Sequence, residues 1–293
     1  MARSRVEHVP HALLHAFLVA VVLVTIYPVL WVVTIAFSGN QSLAIADVPA
    51  DPSTWERLRA ILPWPAHWST ANFVSVMTDQ PFARWVQNSA LIAAATTLVG
   101  VFLACTGAYA FSRFKFPGRR AGMMAFLVSQ MFPGTLTLIP LYIIIVQWLG
   151  LGGTRIGLVI VYATTSIPFS VWMLKGYFDT IPRELEEAAV IEGAGPGTIF
   201  WRIILPLAKP AIAITALFSF MTAWNEFILA ATFMNQEELY TAPVGLKFFV
   251  GGFQQQWGYF AAGSIIVSVP VVALFLYLQR YLVSGLTAGS VKG

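Results

Sequence analysis

Few residues in this chain are placed to do covalent chemistry. No stretch reads G-x-x-x-x-G-K-[ST], so nothing cradles nucleotide phosphates in the P-loop manner, and neither G-x-S-x-G nor H-E-x-x-H occurs. His11 and His15 stand four residues apart, a spacing that suits a metal on one helix face. No third ligand lies nearby, and the pair reads as interfacial polar residues. Cys105 is the single cysteine; it excludes an internal disulfide, fits no metal pattern and reads as a packed thiol. Glu226, next to Asn225, is an acid inside an apolar run, which makes it a candidate gate or structural polar site. Counted from Lys209 at about 1.5 Å per residue, it falls roughly 25 Å along a helix. Bonding to a neighbouring helix end is there at least as good a reading as contact with cargo. Catalysis by this chain is not expected, and neither is a bound cofactor or metal.

The densest group of charges lies elsewhere. Arg183, Glu184, Glu186, Glu187 and Glu192 fall within ten residues of the stretch from Pro182 to Pro206, which has an apolar run on either side. The stretch reads as two short helices joined by a glycine turn. Thr180 or Ile181 precedes the first, Pro182 suits its first turn, and Glu184, Glu186 and Glu187 sit where the helix dipole favours negative charge. Leu185, Ala188, Ala189 and Glu192 follow 3–4 spacing, so one face is small and nearly smooth. Gly193, Gly195, Pro196 and Gly197 break the helix, and Thr198 is placed to cap a second helix ending near Pro206. A smooth face on a polar helix pair suits docking against another protein; a plain connecting loop is the competing reading.

These residues must be held by something, and composition says what. The chain has 293 residues, of which 58% are hydrophobic and 10% charged. A soluble domain carries about 25% charged residues, so lipid is the solvent for much of this surface. Six apolar runs reach spanning length: 12–37, 85–111, 121–148, 156–177, 210–234 and 257–282. Prolines at 28, 133, 140, 168 and 270 predict kinks. The first run is too long for a signal peptide and lacks an A-x-A end. Residues 38–84 form a long loop rich in Pro, Asp and Trp, in which Trp64 and Trp68 suit either the membrane interface or a partner. With both ends on the cytoplasmic side, that side holds twelve of the 17 basic residues, including Arg3, Arg5, Arg113, Lys115, Arg119, Arg120, Lys175, Arg280 and Lys292. The outer side then holds Arg57, Arg59, Arg84, Arg155 and Lys247. The asymmetry puts the 182–206 stretch inside the cell. The net charge of +4 reads as a topology signal and not as a nucleic-acid surface.

The central stretch also has a spelling. Glu187, Ala188, Ala189, Gly193, Ile203, Leu205 and Pro206 fit EAA-x3-G-x9-I-x-LP. This resembles the signature loop of the membrane-spanning subunits of binding-protein-dependent ABC importers. The resemblance implies an all-α integral membrane protein with six transmembrane helices and the type I ABC importer permease (MetI-like) fold. It implies a short cytoplasmic N-terminus (1–11), a permease domain (12–284) with the outer loop 38–84 and a coupling loop over 178–208, and a C-terminal tail (285–293). It assigns coupling to a separate ATPase to Glu186, Glu187, Ala188, Ala189, Gly193, Ile203, Leu205 and Pro206. The stretch WNEF at 224–227 and the ending QRYLVSGLTAGSVKG are similar to the carbohydrate-uptake branch, and most similar to the second permease subunit of maltose- and trehalose-type importers. The partners so implied are a second permease subunit, two ATPase copies that use ATP and magnesium, an external sugar-binding protein and the plasma-membrane bilayer, with no nucleic acid. A permease for a non-sugar solute, an ATP-independent secondary transporter and a membrane-embedded enzyme or scaffold are the rival readings. No inverted repeat supports the second, and Glu226 alone does not supply a catalytic cluster for the third.

Overall fold

The computed structural model describes residues 11–43, 51–65 and 67–290; for His11 and residues 280–290 it describes the backbone alone. Arg3, Arg5, Asp47, Pro49 and Lys292 lie outside the described residues, as does the side chain of Arg280. Every regular element among the described residues is helical. In chain order they are α1 (His11–Ala36), α2 (Thr54–Ile61), α3 (Ala71–Thr78), α4 (Phe82–Arg113), α5 (Arg119–Met131) and α6 (Gly134–Tyr142), which continues as a π turn, Ile143–Trp148. Then come α7 (Arg155–Phe178), α8 (Glu184–Ile191), α9 (Pro196–Ile199), a second π turn (Phe200–Ile204), α10 (Leu205–Leu207) and α11 (Lys209–Asn225). α12 (Ile228–Phe233), a 3-10 turn (Glu237–Leu239), α13 (Ala242–Phe248) and α14 (Trp257–Ser290) complete the chain.

Four of these helices are long and apolar enough to cross a bilayer, and six spans result if each of two bent pairs counts as one. The apolar runs foretell the helix ends within a few residues for α1, α4 and α7. The break expected at Pro133 is present, and two departures from the expected spans follow it. The third span breaks at Phe132–Pro133, and its halves meet at 105°. Phe132 is extended, as the residue before a proline prefers, and Pro133 has no N–H to continue the ladder. The fifth run is not one helix: α11 stops at Asn225, Glu226 is extended (φ −72°, ψ 128°), and α12 restarts at Ile228. α14 continues as helix to Ser290, past the end expected near Leu282. By contrast Pro28, Pro168 and Pro270 all sit inside continuous helices.

The chain forms two compact units, one drawn from the stretch up to Gln80 with Leu246–Ile266, the other from Pro81–Gly245 with the stretch from Val267 onward. In the first, buried Asn72 is the fastener. Its Nδ2 donates to the Ala36 carbonyl (3.1 Å), and its Oδ1 accepts from Gln41 Nε2 (2.8 Å). Gln41 Oε1 in turn accepts from the Tyr259 amide (3.2 Å). Phe37 packs on Phe73 and Trp68, with centroids 4.7 and 5.6 Å away, and Trp64 meets Trp68 edge-on at 5.3 Å. The central turns of α1 have no buried residue.

In the second unit α4, α7 and α11 form the core. Small residues on α4 (Ala93, Gly100, Ala104, Ala108) are fully or almost fully buried and let the backbones approach. A Cβ on Gly100 would lie 3.4 Å from Ser166 Oγ and 3.7 Å from Ser219 Oγ. One end of α4 holds the 235–245 connection. Trp85 Nε1 donates to the Glu237 carbonyl (2.9 Å), and Asn88 Nδ2 donates to those of Glu238 (2.8 Å) and Tyr240 (3.0 Å). Arg155 Nε donates to Asn88 Oδ1 (3.1 Å). The other end of α4 meets α8 and α9.

Candidate functional site

The charged stretch does fold as two short helices around a turn, with details the sequence misplaces. Thr180 does not open α8: its hydroxyl donates to the Tyr177 carbonyl (2.7 Å) and so closes α7. α8 starts at Glu184 with no side-chain cap, and Glu184, Glu186 and Glu187 fill its first turn. Thr198 does not cap the second helix. Gly195 takes that position and Pro196 follows at the first helical residue, where its missing N–H costs nothing.

Gly193 is required by geometry. Its φ is +85°, a left-handed conformation that costs an ordinary L-residue about 1–2 kcal/mol. The turn is a Schellman motif. The Ala194 amide donates to the Ala189 carbonyl (2.9 Å), and the Gly193 amide to that of Val190 (2.9 Å). Nothing lies within 4 Å of where a Gly193 side chain would begin.

The face expected to be smooth is divided. Ala189 is buried and packs with Ile199, Phe200 and Ile204 on Ala108 and Tyr109 of α4. Ile203 and Leu205 are half-buried, packed against the same cluster. Glu187, Ala188, Gly193 and Pro206 are exposed, together with Leu185, Val190 and Ile191, the last at 87%. The exposed surface is therefore apolar rimmed by acid, and beside it lies a cleft of about 490 Å³ between α8, α9 and the end of α4.

A buried ion pair holds this knuckle to the bundle. Arg113, in the last turn of α4, bonds Glu186 through Nε, and the two side chains are 7% and 14% exposed. Arg113 Nη2 also donates to the Ile181 carbonyl (3.0 Å), and the Tyr109 hydroxyl donates to Glu186 Oε2 (3.3 Å). Next door, Ser112 Oγ donates to Asp179 Oδ1 (2.6 Å), and Lys175 bonds the other Asp179 oxygen. Burial acts to raise the Asp179 pKa, but the hydrogen bonds from Lys175 and Ser112 and the charges of Lys175 and Arg113 outweigh it and hold the carboxyl below its usual 3.8. Because the folded value is the lower one, this contribution is complete above the unfolded pKa and is lost only as pH falls through the folded value. Protease accessibility of the α7–α8 connection in membranes is accordingly expected to be equal at pH 7 and pH 5, whereas Asp179→Asn raises it at both.

None of Tyr109, Ser112, Arg113 or Asp179 stands out in the sequence as a site residue. Arg113 and Lys175 read there as mere sidedness markers. The one local signal is the i,i+4 spacing of Lys175 and Asp179.

Asn225 and Glu226 are not brought together. Asn225 is exposed, and its Nδ2 donates to the Met221 carbonyl of its own helix (3.0 Å). The Glu226 carboxylate caps α12, accepting from the amides of Leu229 (2.7 Å) and Ala230 (2.9 Å), and it accepts from the Tyr162 hydroxyl of α7 (2.8 Å). Removing the carboxylate orphans three donors. Glu226→Ala is expected to cost about 2–4 kcal/mol, read as a lower unfolding temperature in detergent, with Glu226→Gln intermediate. Among the described residues no three His, Cys, Asp or Glu side chains converge on a metal position.

Helices of lipid-spanning length, with two bent pairs among the candidate spans, define an α-helical integral membrane protein. The chain belongs to the family of binding-protein-dependent transport system inner membrane components, whose model matches residues 96–287. Its relatives include the maltodextrin transport system permease protein MdxG of Bacillus subtilis (strain 168), 34% identical over 95% of each chain. They also include the maltose/maltodextrin transport system permease protein MalG of Salmonella typhimurium, 35% identical over 95% of each. Among solved structures, a bacterial ABC transporter involved in the import of the acidic polysaccharide alginate superposes with a TM-score of 0.77, over 96% of this chain and 99% of that one, at 22% identity. The fold is that of a type I ABC importer permease.

Proposed function

We propose that this chain is one of two permease subunits of an ATP-driven importer for a sugar of the maltose or maltodextrin kind. The observation that carries the coupling is the knuckle itself: α8 and α9 present exposed Glu187, Ala188, Val190 and Ile191 while Arg113 and Glu186 lock them to α4. A push on that surface is transmitted to the bundle because the ion pair and the packed Ala189 leave little slack. The surface docks on a separate ATPase on the cytoplasmic side, where ATP and magnesium are used, and both chain ends lie on that side. Closure of two ATPase copies moves the knuckle, and the third and fifth spans yield at their breaks, Phe132–Pro133 and Glu226–Phe227. A central cavity between the spans then opens outward to accept cargo from an external binding protein, and the assembly relaxes inward after hydrolysis. Each ATPase state must bind the knuckle with a different affinity, since only differential affinity shifts the equilibrium. Names of relatives such as MdxG and MalG support the sugar class. The test is ATP-dependent uptake of radiolabelled maltotriose by proteoliposomes holding the complete transporter, with phosphate and an amino acid as competing solutes. Uptake of one of those instead of the sugar rejects the cargo class, and flux without ATP rejects the mechanism.

A further inference from the structure

The short helix α2 (Thr54–Ile61) forms without a packed face: none of its residues is buried. Helices of this length are marginal in water, and most owe their stability to an apolar face that is covered. Locally α2 has a capping box. The Ser53 hydroxyl accepts from the Glu56 amide (3.3 Å), and the Glu56 carboxylate accepts from the Ser53 amide (2.7 Å). Its two sides are chemically distinct. Trp55, Leu58 and Ile61 recur every third residue along one side and are 66%, 48% and 58% exposed. Glu56, Arg57 and Arg59 occupy the rest of the circumference, also exposed. Leu62 and Trp64 carry the exposed apolar surface past the helix end.

The level of this surface is set by α1. The Tyr27 hydroxyl donates to the Ile61 carbonyl (2.7 Å), one of the last-turn carbonyls that a helix end leaves without an intrahelical donor. Tyr27 stands nine residues, about 13 Å, before the end of α1 at Ala36. With 26 residues α1 is about 39 Å long, against about 30 Å of hydrocarbon, so the end of α2 returns to the depth of a leaflet. The flank of α1 beside it is itself bare and apolar, continuous with the uncovered side of α2. A backbone carbonyl satisfied by Tyr27 is what such a depth requires. Tryptophan beside an apolar stripe, with arginine on the polar side, is the composition of a helix that lies in a membrane surface.

We infer that α2 lies in the headgroup–acyl boundary of the bilayer, with Trp55, Leu58, Ile61 and Leu62 in hydrocarbon and Arg57 and Arg59 at the level of the lipid phosphates. The 38–84 connection is thereby anchored to lipid beside α1. The inference goes beyond the importer reading and needs only that α1 spans; the topology proposed above makes the leaflet the outer one.

The test uses the complete transporter in vesicles of phosphatidylethanolamine and phosphatidylglycerol. Cys105 is buried, so on this chain a thiol-reactive fluorophore labels only an introduced cysteine, Leu58→Cys or Arg57→Cys. A nitroxide near the top of the acyl chains is expected to quench the Leu58 probe several-fold more than the Arg57 probe, and aqueous iodide is expected to do the reverse. Trp55→Cys is expected to repeat the Leu58 result. Equal quenching of both sides by iodide puts α2 in water and overturns the inference. Leu58 and Trp55 probes shielded from both quenchers mean that protein covers the face, either a partner or a second copy, and overturn it as well. No step involves cargo or ATP, so these failures leave the importer reading standing.

Discussion

Gly193→Val is expected to cut ATP-driven sugar uptake by at least about tenfold while the transporter still assembles in the membrane and still hydrolyses ATP. The left-handed backbone at Gly193 is a genuine outlier for a β-branched residue, so the Schellman turn distorts or opens. Inside the chain the new side chain meets nothing, which confines the damage to the turn and to whatever docks there. The variants order themselves by backbone tolerance: Gly193→Asn retains most uptake because asparagine visits the left-handed region, Gly193→Ala retains less, and valine least. Glu187→Lys, which reverses charge on the exposed rim, joins valine. The measurement is uptake and phosphate release on the same proteoliposomes. Normal uptake by the valine variant would show that α8 and α9 transmit nothing.

The second large effect is at Arg113 and Glu186. Both side chains are nearly enclosed, so removing either leaves the other charged and unpaired. Arg113→Met and Glu186→Met are each expected to destabilise by about 3–5 kcal/mol. The double variant, with no charge left to bury, is expected to recover much of that loss, because well-packed apolar replacements of a buried pair are often neutral. A double-mutant cycle on detergent-solubilised protein, scored by denaturation midpoint, reads the coupling. Additive single effects would mean that the pair is not joined in the working protein. Transport separates stability from transmission: the double variant folds, yet α8 has lost its tether to α4 and couples less tightly.

What the chain's letters reveal follows from what hydrophobicity measures. Transfer into lipid is a sum over a long run, so α7 at Arg155–Phe178 is plain as a run at 156–177. The break at Glu226 is not plain, because no glycine or proline marks it; a carboxylate replaces the helix's own acceptors for the Leu229 and Ala230 amides. The clamp is less plain still, since Arg113 and Glu186 are 73 residues apart and nothing local links them. Gly193 could be placed in the turn from sequence, and the structure adds the reason, its φ of +85°. Ala188 and Ala189 look equivalent on a helical wheel. Only the packing of Ile199 and Phe200 decides that one is enclosed and the other free.

The bare flank of α1 has its own corollary. Across its middle turns no side chain is buried within this chain, although the Tyr27 hydroxyl donates to the Ile61 carbonyl (2.7 Å). Exchange among Leu, Val, Ile and Phe there displaces no packed neighbour within this chain, so this chain's own fold holds the stretch answerable chiefly for its oiliness and its length.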